Sequence, residues 1–167
     1  MLRVLFVCTG NVCRSPMARG LLVRLLERDG LAGQVEVESA GTHTFHLDAP
    51  PDERAVHALA RRGIDISGHR ARRLEARDLQ RFDYVIAMDH ENYGVLEAMR
   101  SPGSETVINM FMEYAPHFGM PEIPDPYYGS EWWFDRVLDM MDAASEGLIK
   151  ALRGRLATQV ATVRSEE

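Results

Sequence analysis

A chain of 167 residues, of which 46% are hydrophobic and 26% charged, is long enough for one domain with a buried core and too short for two ordinary ones. Its formal net charge of −6 argues against a nucleic-acid-coating protein, because such proteins neutralise phosphates with clustered cations. No apolar run approaches the roughly 20 residues that cross a bilayer, and no secretory signal pattern opens the sequence, so we expect a cytoplasmic protein that binds neither membrane nor nucleic acid.

Strand and helix patterns alternate through the first half of the chain. Residues 2–8 form an almost unbroken apolar run, which is typical of a strand buried on both faces. A helix is predicted over 17–28, where apolar residues recur at helical spacing ahead of a glycine. An alternating strand follows over 34–39, and a second helix over 52–62.

The second half of the chain continues this alternation. Residues 82–88 predict another strongly apolar strand, followed by a helix near 92–100 and a weaker strand over 105–110. A proline-rich loop covers 116–129, and the longest helix is predicted over 133–152.

Alternating strands and helices favour an α/β fold with a parallel sheet and helices on both faces. We expect a single domain over residues 1–160 and a flexible C-terminal tail over 161–167. Ligands of such sheets bind beyond the carboxyl ends of the strands. The loop after the first strand is therefore the first place to look for a functional site.

That loop has the composition of an anion site. It runs Cys-Thr-Gly-Asn-Val-Cys-Arg-Ser over residues 8–15, here called the phosphate loop, and Pro16 suits the first turn of a helix. A loop at a helix N-terminus points backbone N–H groups into one concavity, where the helix dipole adds positive potential. Gly10 and Asn11 tolerate a left-handed backbone. The expected phosphate contacts come from Thr9, Gly10, Asn11, Val12, Cys13 and Ser15.

Cys8 and Arg14 give this loop chemistry beyond binding. A thiolate is a strong nucleophile, and a cradle that favours phosphate also favours an anionic sulfur. The planar guanidinium of Arg14 can hold two phosphate oxygens into the transition state. Ser15 could donate its hydroxyl to the sulfur and ease its departure as a leaving group. The glycine–lysine pair of nucleotide-binding loops is missing, so the motif favours phosphoryl transfer over nucleotide binding.

Five segments of the chain resemble the low-molecular-weight protein-tyrosine phosphatases, in that family's order. They are CTGNVCRSPM at 8–17, SAGT at 39–42, GIDISGHRAR at 63–72, FDYVIAMD at 82–89 and DPYYG at 125–129. The resemblance implies a small α/β fold with a four-stranded parallel sheet. It also implies metal-free hydrolysis of phosphotyrosine monoesters through a phosphocysteine intermediate.

Hydrolysis of a tyrosine phosphate at neutral pH calls for a general acid, because the phenolate leaving group is basic. Asp125 lies between Pro124 and Pro126, which restrict the local backbone. The local sequence fits an Asx turn equally well. The family has its acid at the aspartate that matches Asp125, so the resemblance favours a role as general acid and then general base.

Aromatic residues are expected to form the wall of a pocket for the phenyl ring. The resemblance assigns this role to Tyr127 and Tyr128. It also implies a wall residue at Phe45, where many relatives carry tryptophan. We expect Trp133 and Phe134, by contrast, to begin the last helix and face the core.

Several polar residues resemble the network that supports the family's phosphate loop. They are Asn11, Ser15, Ser39 and His69. Taken alone, His69 would be an ordinary hydrogen-bonded loop histidine, and its supporting role rests on the resemblance.

The composition gives no reason to expect a metal or another cofactor. Two cysteines are too few for a structural zinc site, and His43 with His46 lack further ligands nearby in sequence. Cys13 lies five residues from Cys8, so a reversible disulfide that protects the nucleophile is one interpretation. Simple packing of Cys13 behind the loop is the other.

Three other functions compete with tyrosine phosphatase. Relatives that hydrolyse phosphoarginine carry threonine at the position of Val12, so an apolar residue there argues against that substrate. Arsenate reductases pass a disulfide outward, which needs further cysteines, and none follows Cys13. A phosphopeptide-binding module would need no nucleophile. We therefore expect phosphotyrosine proteins or peptides as partners, phosphate-like oxyanions as inhibitors, and a cognate tyrosine kinase at the level of a family guess.

Overall fold

The computed structural model describes residues 1–43 and 45–166 as an α/β fold. Its strands and helices are, in chain order, β1 Leu2–Cys8, α1 Arg14–Arg28, β2 Val35–Gly41, α2 Glu53–Ala60, α3 Asp78–Arg81, β3 Tyr84–Ala87, α4 His90–Met99, β4 Val107–Met110 and α5 Glu131–Ser165. Two short 3₁₀ turns, Phe111–Tyr114 and Pro116–Phe118, lie between β4 and α5.

The four strands form one parallel sheet in the order β2-β1-β3-β4, which confirms the predicted fold class. In the register of β1 with β2, Leu2 lies opposite Val35 and Cys8 lies opposite Gly41. All four strands point the same way, so their carboxyl ends meet at one edge of the sheet. The phosphate loop therefore leaves β1 at the edge where ligands of parallel sheets bind.

The central strand β1 is buried on both faces because its alternate residues enter two different cores. Val4 and Phe6 belong to the larger core, which also takes side chains from α1 and α5. Leu5 and Val7 belong to the smaller core, together with Leu79 of α3 and residues of α4. This two-sided burial explains the unbroken apolar run at the start of the sequence.

Helix α5 differs most from its prediction, because it begins two residues earlier and continues to Ser165. The buried positions of α5 end at Leu152, and beyond it the helix projects with side chains that are mostly exposed. The segment expected to be a flexible tail, 161–167, is thus helical up to Ser165, while Glu167 lies outside the described residues.

The start of α5 corrects one further expectation. Phe134 is fully buried, as predicted, but Trp133 is 42% exposed and does not face the core. Neighbouring residues of a helix point about 100° apart, and at this end of α5 the buried stripe includes Phe134 and leaves Trp133 outside it. Within residues 1–43 and 45–166, no helix has the length and apolar character of a membrane span.

Candidate active site

The phosphate loop connects the end of β1 at Cys8 to the start of α1 at Arg14. Of the two residues expected to allow a left-handed turn, Asn11 adopts one, with φ of 58°, and Gly10 does not. Gly10 is small for another reason, since a Cβ there would lie 2.8 Å from the ring of His46. Gly41 at the end of β2 similarly makes room for the Thr9 carbonyl oxygen.

The Cys8 sulfur lies at the bottom of this loop, almost fully buried, with hydrogen-bond donors around it. Its Sγ is 2.9 Å from the Ser15 Oγ and accepts the backbone N–H of Asn11 at 3.3 Å. Helix α1 begins at the same place and adds the positive end of its dipole. Donors aimed at the sulfur stabilise a negative charge there, as a nucleophilic cysteine requires.

The Asn11 side chain holds the loop in shape from inside the protein. Its Nδ2 donates to the Ser15 Oγ at 2.8 Å and to the Ser39 Oγ at 3.0 Å, while its Oδ1 accepts the Arg72 backbone N–H. The His69 Nε2 lies 2.8 Å from the Asn11 carbonyl oxygen. The structure therefore brings together all four residues of the expected network, and adds the main chain of Arg72.

The protonation of His69 suits this contact. Burial lowers the pKa of His69, and the cations of Arg19 and Arg70 lower it further, against the opposing effect of the Asn11 hydrogen bond. The ring is thus neutral at physiological pH. Because a carbonyl oxygen only accepts, Nε2 carries the hydrogen and donates it to Asn11.

Arg14 reaches the cleft from the first turn of α1, and its side chain is only 3% exposed. Its Nη1 donates to the Asp89 Oδ2 at 2.7 Å and to the Ile123 carbonyl oxygen at 3.0 Å. Its Nη2 lies 3.6 Å from the Asp125 Oδ2 and donates to the Thr9 hydroxyl at 3.5 Å. The nitrogen Nη1 is therefore anchored by Asp89 and Ile123, and Nη2 lies beside Thr9 and Asp125 at the phosphate loop.

The charge of Arg14 is secured by its surroundings. Burial by itself lowers the pKa of Arg14, but the negative charge of Cys8 and the hydrogen bond to Asp89 outweigh burial and raise that pKa. A permanently charged guanidinium beside the sulfur is what binding of a phosphate dianion needs.

Asp125 lies at the mouth of the site, with 44% of its side chain exposed. Its Oδ1 accepts the backbone N–H of Tyr127 at 3.0 Å, so the Asx turn that the sequence allows is present. The other oxygen, Oδ2, faces Arg14. The turn therefore fixes one carboxylate oxygen and leaves the second directed towards the reacting groups.

A cleft of about 370 Å³ opens at the phosphate loop, and Tyr127 and Tyr128 line it with Phe45. The rings of Tyr127 and Tyr128 meet edge to face, with centroids 4.9 Å apart. Phe45 is 69% exposed and Tyr128 is 92% exposed, so both lie at the rim. Exposed aromatic side chains beside a buried anion site suit a flat ring attached to a phosphate.

Three further residues of the site were not assigned from the sequence. Asp89, the N-cap of α4, binds Arg14, and its position just after a buried strand was the signal that could have revealed it. Glu91 lines the cleft mouth. His46, considered from the sequence only as one of two histidines without further metal ligands, has its ring between Phe45 and Tyr127, at centroid distances of 5.4 and 6.1 Å.

Cys13 is a second buried thiol, and it lies among the residues that line the same cleft as Cys8. Burial raises the pKa of Cys13, and the carboxylate of Asp52 raises it further, so this sulfur remains protonated. Both cysteines are free thiols. Within residues 1–43 and 45–166, no three potential metal ligands among His, Cys, Asp and Glu converge on one point.

Comparison with known proteins agrees with the family resemblance of the sequence over nearly the whole chain. The low-molecular-weight phosphotyrosine protein phosphatase family matches residues 3–158. The low molecular weight protein-tyrosine-phosphatase YfkJ of Bacillus subtilis is 37% identical over 92% of this chain and 97% of its own.

Two solved structures extend this similarity. A protein tyrosine phosphatase from Entamoeba histolytica superimposes with a TM-score of 0.89 at 32% identity, covering 92% of this chain and 98% of the other. A Drosophila arginine phosphatase does so with a TM-score of 0.85 at 30% identity, covering 90% and 98%. The chain therefore belongs to the low-molecular-weight phosphotyrosine protein phosphatase family.

Proposed function

We propose that this protein is a protein-tyrosine phosphatase that hydrolyses phosphotyrosine monoesters through a phosphocysteine at Cys8. The observation that carries the proposal is the Cys8 sulfur itself, buried at the N-terminus of α1 between the Ser15 hydroxyl and the Asn11 N–H. Family membership makes phosphotyrosine the substrate class to expect.

In the first chemical step, the Cys8 thiolate attacks phosphorus and the bond from phosphorus to the tyrosine oxygen breaks. The N–H groups of the phosphate loop and the Arg14 guanidinium stabilise the charge that builds up on the phosphoryl oxygens. Asp125 donates its proton to the departing phenolate oxygen. The products are a phosphocysteine, a free tyrosine side chain and a deprotonated Asp125.

In the second step, the Asp125 carboxylate accepts a proton from a water molecule as the water oxygen attacks phosphorus. The sulfur–phosphorus bond breaks, inorganic phosphate forms, and Asp125 is protonated again. The Ser15 hydroxyl, 2.9 Å from the Cys8 Sγ, donates to the sulfur as it leaves as a thiolate. Every proton and electron pair is thus accounted for without a metal or cofactor.

The aromatic side chains at the rim of the cleft favour tyrosine phosphate over serine phosphate as the substrate. Tyr127, Tyr128 and Phe45 stand at the mouth of the cleft, while the Cys8 sulfur is at its base. A phenyl ring spans this depth and contacts the rim, whereas the short serine side chain cannot. This fit is the basis for the proposed substrate class.

A phosphoarginine phosphatase is the second candidate, because a Drosophila arginine phosphatase shares the fold closely. Val12 argues against it, since this cleft residue presents an apolar side chain where a hydroxyl would help a phosphoramidate substrate. A panel of phosphotyrosine, phosphoserine and phosphoarginine peptides, with vanadate as inhibitor, separates the candidates. Fastest turnover of phosphoarginine would overturn the proposal.

The cellular setting is part of the proposal. We expect residues 1–160 to form the phosphatase domain, acting in the cytoplasm on tyrosine-phosphorylated proteins without a metal. A cognate tyrosine kinase would supply these substrates.

Replacement of the nucleophile gives the most direct test. Cys8→Ser should lower kcat on a phosphotyrosine peptide at least about 1,000-fold, because a serine hydroxyl is a far weaker nucleophile than a thiolate. Phosphate binding, measured by calorimetry, should persist. Rapid quenching of the wild-type reaction should trap phosphorus on the Cys8 sulfur, and phosphorus on any other atom would refute the mechanism.

A further inference from the structure

We propose that Arg54 is a positioning residue for the proposed acid Asp125, acting together with Asp52 as a bridge between two loops. One loop is the phosphate loop, and the other is the segment 125–129, here called the acid loop. The inference rests on the proposed function, since the place of Asp125 matters only if a leaving group needs its proton.

The Arg54 guanidinium binds the backbone of the acid loop directly. Its Nη1 donates to the Gly129 carbonyl oxygen at 2.8 Å, and its Nη2 donates to the Tyr127 carbonyl oxygen. The same guanidinium lies over the rings of Phe134 and Tyr127, 4.8 and 5.7 Å from their centroids. Cation–π contacts together with two hydrogen bonds fix the position of the guanidinium.

These contacts are the main attachment of the acid loop. Within residues 1–43 and 45–166, Arg54 makes the only hydrogen bonds from the backbone of 125–129 to a residue outside that segment. Tyr127, which Arg54 holds by its carbonyl oxygen, donates its N–H to the Asp125 Oδ1. The orientation of the carboxylate therefore follows the backbone that Arg54 holds.

Asp52 attaches Arg54 to the phosphate loop. The Asp52 backbone N–H donates to the Val12 carbonyl oxygen at 2.8 Å, and its carboxylate accepts the Arg54 Nε at 3.1 Å and Nη2 at 3.0 Å. Burial acts to raise the pKa of Asp52, but the hydrogen bonds from Arg54 outweigh it and lower that pKa. Asp52 is thus an anion and holds the guanidinium by charge-assisted bonds.

The bridge runs from Val12 through Asp52, Arg54 and Tyr127 to Asp125. These contacts hold Asp125 at a fixed distance from the phosphate loop, and therefore from a leaving group bound beside Cys8. Proton transfer in a transition state needs heavy atoms within hydrogen-bond reach, so a loop that moves by about 1 Å loses much of the acid's contribution. A residue that only stabilised the fold would not affect proton transfer selectively.

The test compares Arg54→Met with Arg61→Met as a matched control. Arg61 also lies at α2, and its guanidinium binds the Asp135 carboxylate of α5 at 3.0 Å without touching the acid loop. For each variant kcat/KM is measured with a phosphotyrosine peptide and with dinitrophenyl phosphate, whose leaving group needs no proton. Because kcat/KM ends at phosphoenzyme formation, it reports the step in which Asp125 acts as an acid.

We expect Arg54→Met to lower kcat/KM for phosphotyrosine by about 10-fold or more and to change it less than about 2-fold for dinitrophenyl phosphate. In the same variant, the decrease of kcat/KM for phosphotyrosine towards high pH, which reports loss of the proton from the acid, should become smaller. Arg54→Lys, which keeps one charge but cannot make the fork of hydrogen bonds, should be intermediate. Arg61→Met should affect both substrates equally and slightly.

Equal losses for both substrates in Arg54→Met, or behaviour like that of Arg61→Met, would overturn the inference while leaving the proposed function intact. If Arg54→Met does not fold, Asp52→Asn decides, because asparagine still caps α2 but accepts one fewer hydrogen bond from Arg54. That variant should show the same selective loss, and an unchanged ratio between the substrates would count against the bridge. Absence of wild-type activity on phosphotyrosine would instead refute the proposed function.

Discussion

The Cys8 sulfur and the Arg14 guanidinium are held in different ways. The Cys8 sulfur takes its donors from its own loop, at Ser15 and Asn11. Arg14 is fixed by Asp89, 75 residues away, and by the carbonyl oxygen of Ile123, 109 residues away. The surroundings of the Cys8 sulfur are therefore set by residues close to it in sequence, whereas the position of Arg14 depends on the assembled fold.

The substitution Asp125→Asn tests whether this single side chain acts as the general acid. We expect kcat/KM for a phosphotyrosine peptide to fall about 100-fold or more, because asparagine cannot supply the proton that the phenolate needs. Dinitrophenyl phosphate should lose much less. The carboxylate is 44% exposed, so the substitution should leave the melting temperature nearly unchanged. Similar losses with both substrates would remove Asp125 from the acid role.

The phosphate loop could be predicted from the sequence because its eight residues are consecutive and lie between a strand and a helix. The position of Asp89 just after a buried strand indicates the ligand-binding edge of the sheet, but the contacts of Asp89 and Arg54 could not be predicted in the same way. The partners of these two residues lie 75 and 73 to 75 residues away, and local patterns do not specify which residues meet over such distances. The contact of the His46 ring with Gly10 was missed for the same reason, because it forms only when the two loops pack together.

The secondary-structure elements were predicted best where burial fixes them and least well at their ends. Strand β1 is buried on both faces, and its predicted and observed limits agree. Helix α5 shows the opposite case, because beyond Leu152 no residue of it is buried and its contacts with the rest of the protein are mainly the ion pairs of Arg153 and Arg155. Apolar periodicity reports packing against a core, so it cannot mark the end of an exposed helix.

Two glycines of α5 allow a matched test of how this helix packs. A Cβ at Gly147 would overlap the carbonyl oxygen of Tyr114 in the 3₁₀ turn, whereas a Cβ at Gly154 would meet nothing within 4 Å. We expect Gly147→Ala to lower the free energy of unfolding by about 1–3 kcal/mol through overpacking. Gly154→Ala should raise it by about 0.5–1 kcal/mol, because alanine favours helix.

Urea unfolding of the two variants measures both effects. The two substitutions add the same methyl group to the same helix, so their difference isolates the contact with Tyr114. Equal changes in the two variants would mean that α5 does not pack closely on the 3₁₀ turn.

At the scale of the whole molecule, the parallel sheet collects the site at one edge. Cys8 and Gly41 end neighbouring strands, and Asp89 follows β3. The supporting residue His69 comes from none of these strands but from the long connection between α2 and α3, and it reaches the Asn11 carbonyl oxygen. The phosphate loop is therefore braced by a segment distant in sequence, and its stability is part of the stability of the fold.

This brace links global stability to pH. Burial, with Arg19 and Arg70 nearby, lowers the pKa of His69 below its ordinary value of 6.5 in the folded protein. In the unfolded chain His69 regains that ordinary value. As pH falls below about 6.5, the unfolded state therefore takes up a proton that the folded state does not. The stabilisation is complete above this pH and is lost progressively down to the folded-state pKa.

We therefore expect the free energy of unfolding to decrease between pH 7.5 and pH 5.5 more in the wild type than in His69→Gln. The slope from one histidine is at most about 1.4 kcal/mol per pH unit. Glutamine can still donate to the Asn11 carbonyl oxygen but does not titrate, and the other five histidines are common to both proteins, so their contributions cancel in the difference. Urea unfolding at both pH values measures it. An equal decrease in both proteins would show that His69 is as readily protonated in the fold as in water, and that its ring does not brace the phosphate loop as a buried neutral donor.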